Sequence, residues 1–89
     1  MLKIKVSNDS AKFLRSREPK HKRQIAAKLQ SLREESEPAD SETLKGSNRE
    51  YRRADIGEYR IIYRVSSNTL YVDAIGKRND GAVYKRFNK

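Results

Sequence analysis

The 89-residue chain carries 21 Lys and Arg against 12 Asp and Glu, a formal net charge of +9, with 35% hydrophobic and 37% charged residues. That length predicts one domain, residues 1–89, with a modest core, and the basic excess is the electrostatic footprint of a nucleic-acid partner or of an acidic protein. Cysteine is absent and His21 is the only histidine, which excludes disulfides, thiol catalysis, zinc sites and a His–His acid–base pair. No run has the length of a transmembrane helix and no apolar leader opens the chain, so a soluble, cytoplasmic protein without a membrane partner is expected.

Taken in order, Leu2, Ile4 and Val6 alternate with Lys3 and Lys5, the pattern of a short half-buried strand. Ser7 to Ser10 offers helix N-caps, and Ala11, Phe13 and Leu14 predict a brief helix. Arg17-Glu18-Pro19 stops it, because the residue before proline avoids helical angles while proline itself suits a new first turn. A second helix is predicted from about Pro19 to about Glu35. Ile25, Leu29 and Leu32, with Ala26, form its apolar stripe, and Lys20, Lys22, Arg23, Lys28 and Arg33 cover the remainder as a solvated face. His21 lies near the start of this helix, far in sequence from the other candidate residues, and is not counted among them.

Ser36 to Glu42, with Pro38 and several acids, reads as a loop that balances nearby basic charge, and Leu44-Lys45-Gly46 leads on from it. From Glu50 to Val65 two strand-forming runs flank a Gly-containing bend. In the second run Tyr59, Ile61, Tyr63 and Val65 alternate with Arg60, Ile62 and Arg64, so the tyrosine face is predicted inward and the arginine face outward. A two-residue turn at Ile56-Gly57 pairs Asp55 with Glu58, Ala54 with Tyr59, and Arg53 with Arg60. Like charges facing across a ladder cost stability, so such a pair either fans into water or holds an anion between its members. A longer loop would shift this register, and Ile-Gly is not the favoured hairpin dipeptide.

Ser66-Ser67-Asn68 reads as a turn, after which Leu70, Val72 and Ala74 alternate with Tyr71, Asp73 and Ile75 as another strand. The succession predicts an antiparallel meander. The whole order gives an α+β domain: an N-terminal strand, then a two-helix hairpin packed on one face of a small antiparallel sheet, with the opposite face open for binding. Gly76-Lys77-Arg78 ends the last clear strand, and Tyr84 follows within Val83-Tyr84-Lys85-Arg86-Phe87. Tyr84 is either a core tyrosine with its hydroxyl in water or a residue that stacks on a base or binds phosphate. No internal repeat, P-loop or Gly-rich dinucleotide fingerprint is present, so no nucleotide cofactor is expected.

The order LKG, YRRADIGEYRIIYRV and GKRNDGAVYKRF, behind a strand and a helical hairpin, resembles the RelE/ParE toxin superfamily of bacterial toxin–antitoxin pairs over nearly the whole chain. Gly-Lys-Arg with the downstream Tyr84 favours the RelE branch. The resemblance implies a metal-independent endoribonuclease that enters the ribosomal decoding site, cuts the bound mRNA and thereby inhibits translation, and that a cognate antitoxin keeps inactive. It carries the catalytic roles onto Arg53, Arg60, Arg78 and Tyr84, with Lys45, Arg52, Lys77 and Lys85 as RNA contacts. The ParE branch, associated with poisoning DNA gyrase, shares the fold, and a non-catalytic basic RNA- or ribosome-binding module is the further alternative. Where the RelE prototype has two lysines before the bend, this chain has Tyr51 and Arg53.

The chemistry so implied is attack of a ribose 2′-OH on its own phosphate, leaving a cyclic phosphate and a free 5′-OH. It needs a base, positive charge at the pentavalent phosphorus and an acid for the leaving oxygen. Arg60 suits the phosphate, because a planar guanidinium grips two oxygens at once. Arg53 is a poor base, since a guanidinium with a pKa above about 12 stays charged. Catalysis then relies on positioning and charge, or the ribosome or the RNA supplies the acceptor.

Overall fold

A computed structural model describes residues 1–44 and 51–79. Strand β1, Lys3–Val6, stops at Ser7, whose extended backbone and side chain cap helix α1, Asn8–Arg15. The Ser7 hydroxyl oxygen accepts the Ser10 N–H at 3.1 Å, satisfying one of the four orphan donors at the helix start. Helix α2, Pro19–Glu34, begins on its proline, which has no N–H to leave unpaired. Both helix starts therefore follow the local chemistry of the chain.

The strands that follow are β2 (Ser41–Thr43), β3 (Arg52–Ile56), β4 (Tyr59–Ser66) and β5 (Thr69–Lys77). They form a five-stranded sheet in the order β1-β5-β4-β3-β2. β3, β4 and β5 make the expected antiparallel meander, and β1 closes the far edge by pairing parallel to β5, Ile4 opposite Leu70 and Val6 opposite Val72. The helices lie on one face, so the architecture is the α+β arrangement of the sequence reading, with a mixed sheet. No helix among the described residues is long and apolar enough to cross a membrane.

The core sits between α2 and the sheet. Ile25, Leu29 and Leu32 of α2 pack with Ala54, Tyr59, Ile61, Tyr63, Leu70, Val72 and Ile75, all buried. Burying one such aliphatic side chain fully is worth roughly 1.5–3 kcal/mol. Both core tyrosines keep their hydroxyls bonded, Tyr63 donating to the Ser36 carbonyl at 2.6 Å and Tyr59 lying 2.6 Å from His21 Nδ1. Ala26 is exposed rather than buried: one residue past Ile25, it is turned about 100° off the stripe.

Three expectations are corrected. The loop drawn over Ser36 to Glu42 contains the start of β2, a polar edge strand with no apolar alternation to announce it. The hairpin turn is Gly57-Glu58, with Ile56 paired to Tyr59, Asp55 to Arg60, Ala54 to Ile61 and Arg53 to Ile62. Gly57 supplies the positive φ, +57°, at the first of the two turn positions, a conformation that suits glycine. Arg53 and Arg60 are therefore not cross-strand partners, and the like-charge pair is replaced by an opposite-charge pair. Finally, a bulge lets Tyr63 face Val72 and Ile62 face Ala74, so Asp73 is the extra residue. Leu70 and Val72 stay in the main core, Ile75 joins them, and Ala74 turns to the open face beside Ile62.

Candidate functional site

The period of two that sends Tyr59, Ile61 and Tyr63 to the helices sends Arg60, Ile62 and Arg64 to the other face. On β3 the same alternation, read from the Ala54–Ile61 pair, places Arg53 and Asp55 on that open face and Arg52 on the helix side, opposite Tyr63. Arg53, Arg60 and Arg78 thus arrive at one end of the open face from β3, β4 and the residue just beyond β5.

They meet at Asp55. Arg60 grips its carboxylate with a two-pronged fork, Nε to Oδ1 at 2.8 Å and Nη2 to Oδ2 at 3.1 Å. Arg78 Nε stands 3.9 Å from Oδ2 of the same carboxylate. The turn holds Arg78 in place: its backbone N–H donates to the Glu58 carbonyl at 2.9 Å and its Nη1 to the Gly57 carbonyl at 3.3 Å. Directly opposite Arg60 on β5 is Gly76, which leaves that flank without a side chain. The Arg60 hydrogen bonds, followed by the charges of Arg60, Arg78 and Arg53, hold Asp55 below the usual carboxylate range against the opposing effect of burial. Arg53 itself is paired with Glu42 of β2.

The other described sequence candidates, Arg52 and Lys77, do not join this cluster. Arg52 turns back along the edge, its Nη2 donating to Ser41 Oγ at 2.7 Å and its Nη1 to Thr43 Oγ1 at 3.2 Å, with Glu37 at 4.0 Å. Its guanidinium braces β2 and does not face the cluster. Lys77 is exposed at the end of β5. Tyr84, Lys45 and Lys85 lie outside the described residues. His21, edge-on to the buried Tyr59 ring and 3.7 Å from Glu58, ties α2 to the turn from the helix side.

Farther along the open face Arg64 lies over the Tyr71 ring, 4.1 Å from its centroid, and 3.5 Å from Asp73. Burial raises the Asp73 pKa, and the neighbouring Arg64 charge and Tyr51 hydrogen bond only partly offset it. Asp55 and Asp73 are thus held in opposite senses.

Sequence reasoning missed Asp55 and Glu42 as the carboxylates that engage the arginines. The signal was present in the like-charge register itself. Sliding the turn to Gly57-Glu58 exchanges an Arg–Arg pair for an Asp–Arg pair, the arrangement that cross-strand electrostatics prefer.

A two-helix layer on one face and an arginine cluster on the other define a small basic α+β domain. Residues 6–81 match the family model described as the ParE toxin of type II toxin–antitoxin systems, and the chain belongs to the RelE/ParE superfamily of these toxins. It is similar to the RelE of the archaeal RelE–RelB complex from Pyrococcus horikoshii, with 25% identity, a TM-score of 0.77, and coverage of 89% of this chain and 97% of that one. A mutant of the E. coli toxin RelE in the free state gives 19% identity and a TM-score of 0.80 over 98% of this chain and 94% of that one. The intact E. coli RelBE toxin–antitoxin complex gives 19% identity and a TM-score of 0.75 over 89% and 99%. At 19% identity the likeness is one of fold. No curated protein sequence matches the chain.

Proposed function

We propose that this toxin is a ribosome-dependent mRNA endonuclease of RelE type, acting in the cytoplasm and neutralised by a cognate antitoxin. The observation that supports it is the convergence of Arg60 and Arg78 on one carboxylate, with Arg53 paired to Glu42 on the same face and Arg60 in the forked geometry that serves a phosphate equally well. In the proposed reaction a ribose 2′-OH attacks the adjacent phosphate, the bond to the 5′ oxygen breaks, and a cyclic phosphate and a free 5′-OH result. Arg60 holds the non-bridging oxygens. Arg78, the more exposed of the two, faces the leaving oxygen and stabilises its charge.

Arg53 adds field and no proton acceptor, since guanidinium stays charged. The acceptor then comes from the RNA or the ribosome, or catalysis rests on positioning and charge. In this reading Tyr84 orients the nucleotide, and Lys45, Arg52, Lys77 and Lys85 add to the field that draws in RNA. The antitoxin's expected feature is an acidic or amphipathic segment that covers the arginine face or blocks access to the ribosome by bulk.

Primer extension on a ribosome-bound message tests the proposal. New stops that require both protein and ribosome are the expected result, and an intact message at saturating protein would end it. The ParE description of the matching family favours a second reading, inhibition of DNA gyrase. A supercoiling gel run beside the translation assay separates the two, with gyrase inhibition and an uncut message reversing the order.

A further inference from the structure

The arginine cluster is not an empty anion site. Its fork is filled by a carboxylate of the chain itself, and that carboxylate is placed by the ladder: Asp55 is the direct cross-strand partner of Arg60, beside the turn that also holds Arg78. Cross-strand partners keep their Cβ atoms about 4.5–5.5 Å apart, so the backbone presents Asp55 to Arg60 in every copy of the folded protein. Asp55 is also 32% exposed while Arg60 is 16% exposed. The carboxylate can therefore swing into water by side-chain rotation alone, leaving the guanidinium fixed in the face.

We infer that Asp55 is a built-in competitor for phosphate: its carboxylate occupies the Arg60 fork and flanks Arg78 in the free protein, and an RNA phosphodiester displaces it on binding. The inference rests on the reading that this cluster receives RNA phosphate, and it assigns Asp55 a role in specificity. A carboxylate and a phosphate offer a guanidinium the same pair of oxygens, so the two cannot both hold the Nε–Nη2 edge of Arg60. The lowered pKa of Asp55 makes it a weak proton acceptor, which fits an anion's role at the site better than a base's. Displacement sets a threshold. A singly charged phosphodiester gains the fork only by displacing the internal ion pair, so a weaker anion is held off. That cost falls on ground state and transition state alike, and Asp55 lowers affinity without changing the chemical step.

The test uses single-stranded RNA blocked against cleavage by 2′-deoxy substitution, so that binding is read without chemistry. Asp55→Asn removes the competing charge and keeps the shape. It is expected to bind this RNA roughly tenfold more tightly at low salt, with the slope of log affinity against log salt unchanged, since Arg60 meets the phosphate in both proteins. Asp55→Glu retains a carboxylate and should stay near wild type. Glu34→Gln, which removes the same charge from the exposed end of α2, controls for net charge. In the unaltered protein, RNA should shift the Asp55 carboxyl resonance and return its titration toward ordinary carboxylate values, a readout independent of whether any variant folds.

Equal or weaker binding by a folded Asp55→Asn, or an Asp55 resonance unmoved by saturating RNA, would mean that the carboxylate merely braces Arg60, and the inference would be wrong. Tighter binding without any cleavage on the ribosome would leave the inference standing and remove the endonuclease reading alone.

Discussion

The two faces of the sheet are made from alternate residues of the same strands and are held by different physics. On the helix side Tyr59, Ile61 and Tyr63 are fully or almost fully buried against α2, and the polar atoms present are tied by single bonds to Ser36 and His21. Among the described residues of the open side the buried apolar cluster shrinks to Ile62 and Ala74, with Leu44 and Tyr51 against them, and ion pairs lie beside it. Apolar burial is non-directional and adds with area, whereas exposed ion pairs contribute little to stability and much to the local field. One face therefore stabilises the fold and the other remains chemically available, and a substitution should reveal which face it is on by what it changes.

The largest stability effect should come from Ile61→Ala. Ile61 is fully buried in the main cluster, and truncation there should cost about 2–5 kcal/mol through lost burial and a cavity. Ile62, its neighbour, is as fully buried, and among the described residues its apolar cluster is the smaller one, with Ala74, Leu44 and Tyr51. Ile62→Ala should fall at the low end of the same range, because this thin cluster can relax. Urea unfolding of the pair measures the difference, and equal losses would break the distinction between the faces.

A smaller effect is expected at the turn that sets the register of both faces. Gly57 has φ +57°, and a Cβ there would lie 2.9–3.1 Å from the end of the Gln24 side chain. That flexible side chain can give way, so the backbone conformation decides the cost, about 1–2 kcal/mol for Gly57→Ala. Gly57→Asn should lose less, since asparagine tolerates the left-handed region. Thermal melts of the two variants check the order, and an Ala variant as stable as the Asn variant would show that φ is not limiting.

The smallest effects sharpen the comparison within the open face. Asp55, held below its ordinary value of 3.8, contributes stability that is present above that value and lost as pH falls through its depressed pKa. Asp73, raised above 3.8 by burial, acts in the opposite sense: its contribution is full below the ordinary value and is lost as pH rises through the raised one. Relative to wild type, Asp55→Asn should be less stable at neutral pH with the gap closing in acid. Asp73→Asn should gain at neutral pH relative to its behaviour in acid. Denaturant midpoints across pH 2 to 7 test both signs, and parallel curves for the two variants would contradict them.

Much of the helix face was legible in the sequence. Ser7 and Pro19 announce the helix starts, the Ile25–Leu29–Leu32 stripe is a plain helical period, and the tyrosine alternation of β4 fixes which face is buried. These signals are local. What escaped was set by choices between near-equal local alternatives. A two-residue turn at Ile56-Gly57 and one at Gly57-Glu58 differ by one position, yet that slip decides whether Arg60 faces Arg53 or Asp55. β2 is three polar residues whose strand character comes from pairing with β3, and the Asp73 bulge breaks an alternation that looked regular. In the candidate site the arginines were readable as a pattern, but their carboxylate partners depended on register.

The most direct test of the account is single-turnover cleavage of a ribosome-bound message at saturating toxin, comparing Arg60→Ala with Lys20→Ala. Arg60 lies in the cluster on the open face, whereas Lys20 is exposed on α2, and each change removes one formal charge. If Arg60 holds the phosphate as it becomes pentavalent, its loss should slow cleavage by roughly a hundred- to a thousandfold, by analogy with removal of one oxyanion donor, while Lys20→Ala stays close to wild type. Equal losses in the two variants, both restored by lowering the salt, would contradict the account and reduce Arg60 to one member of a general attractive field.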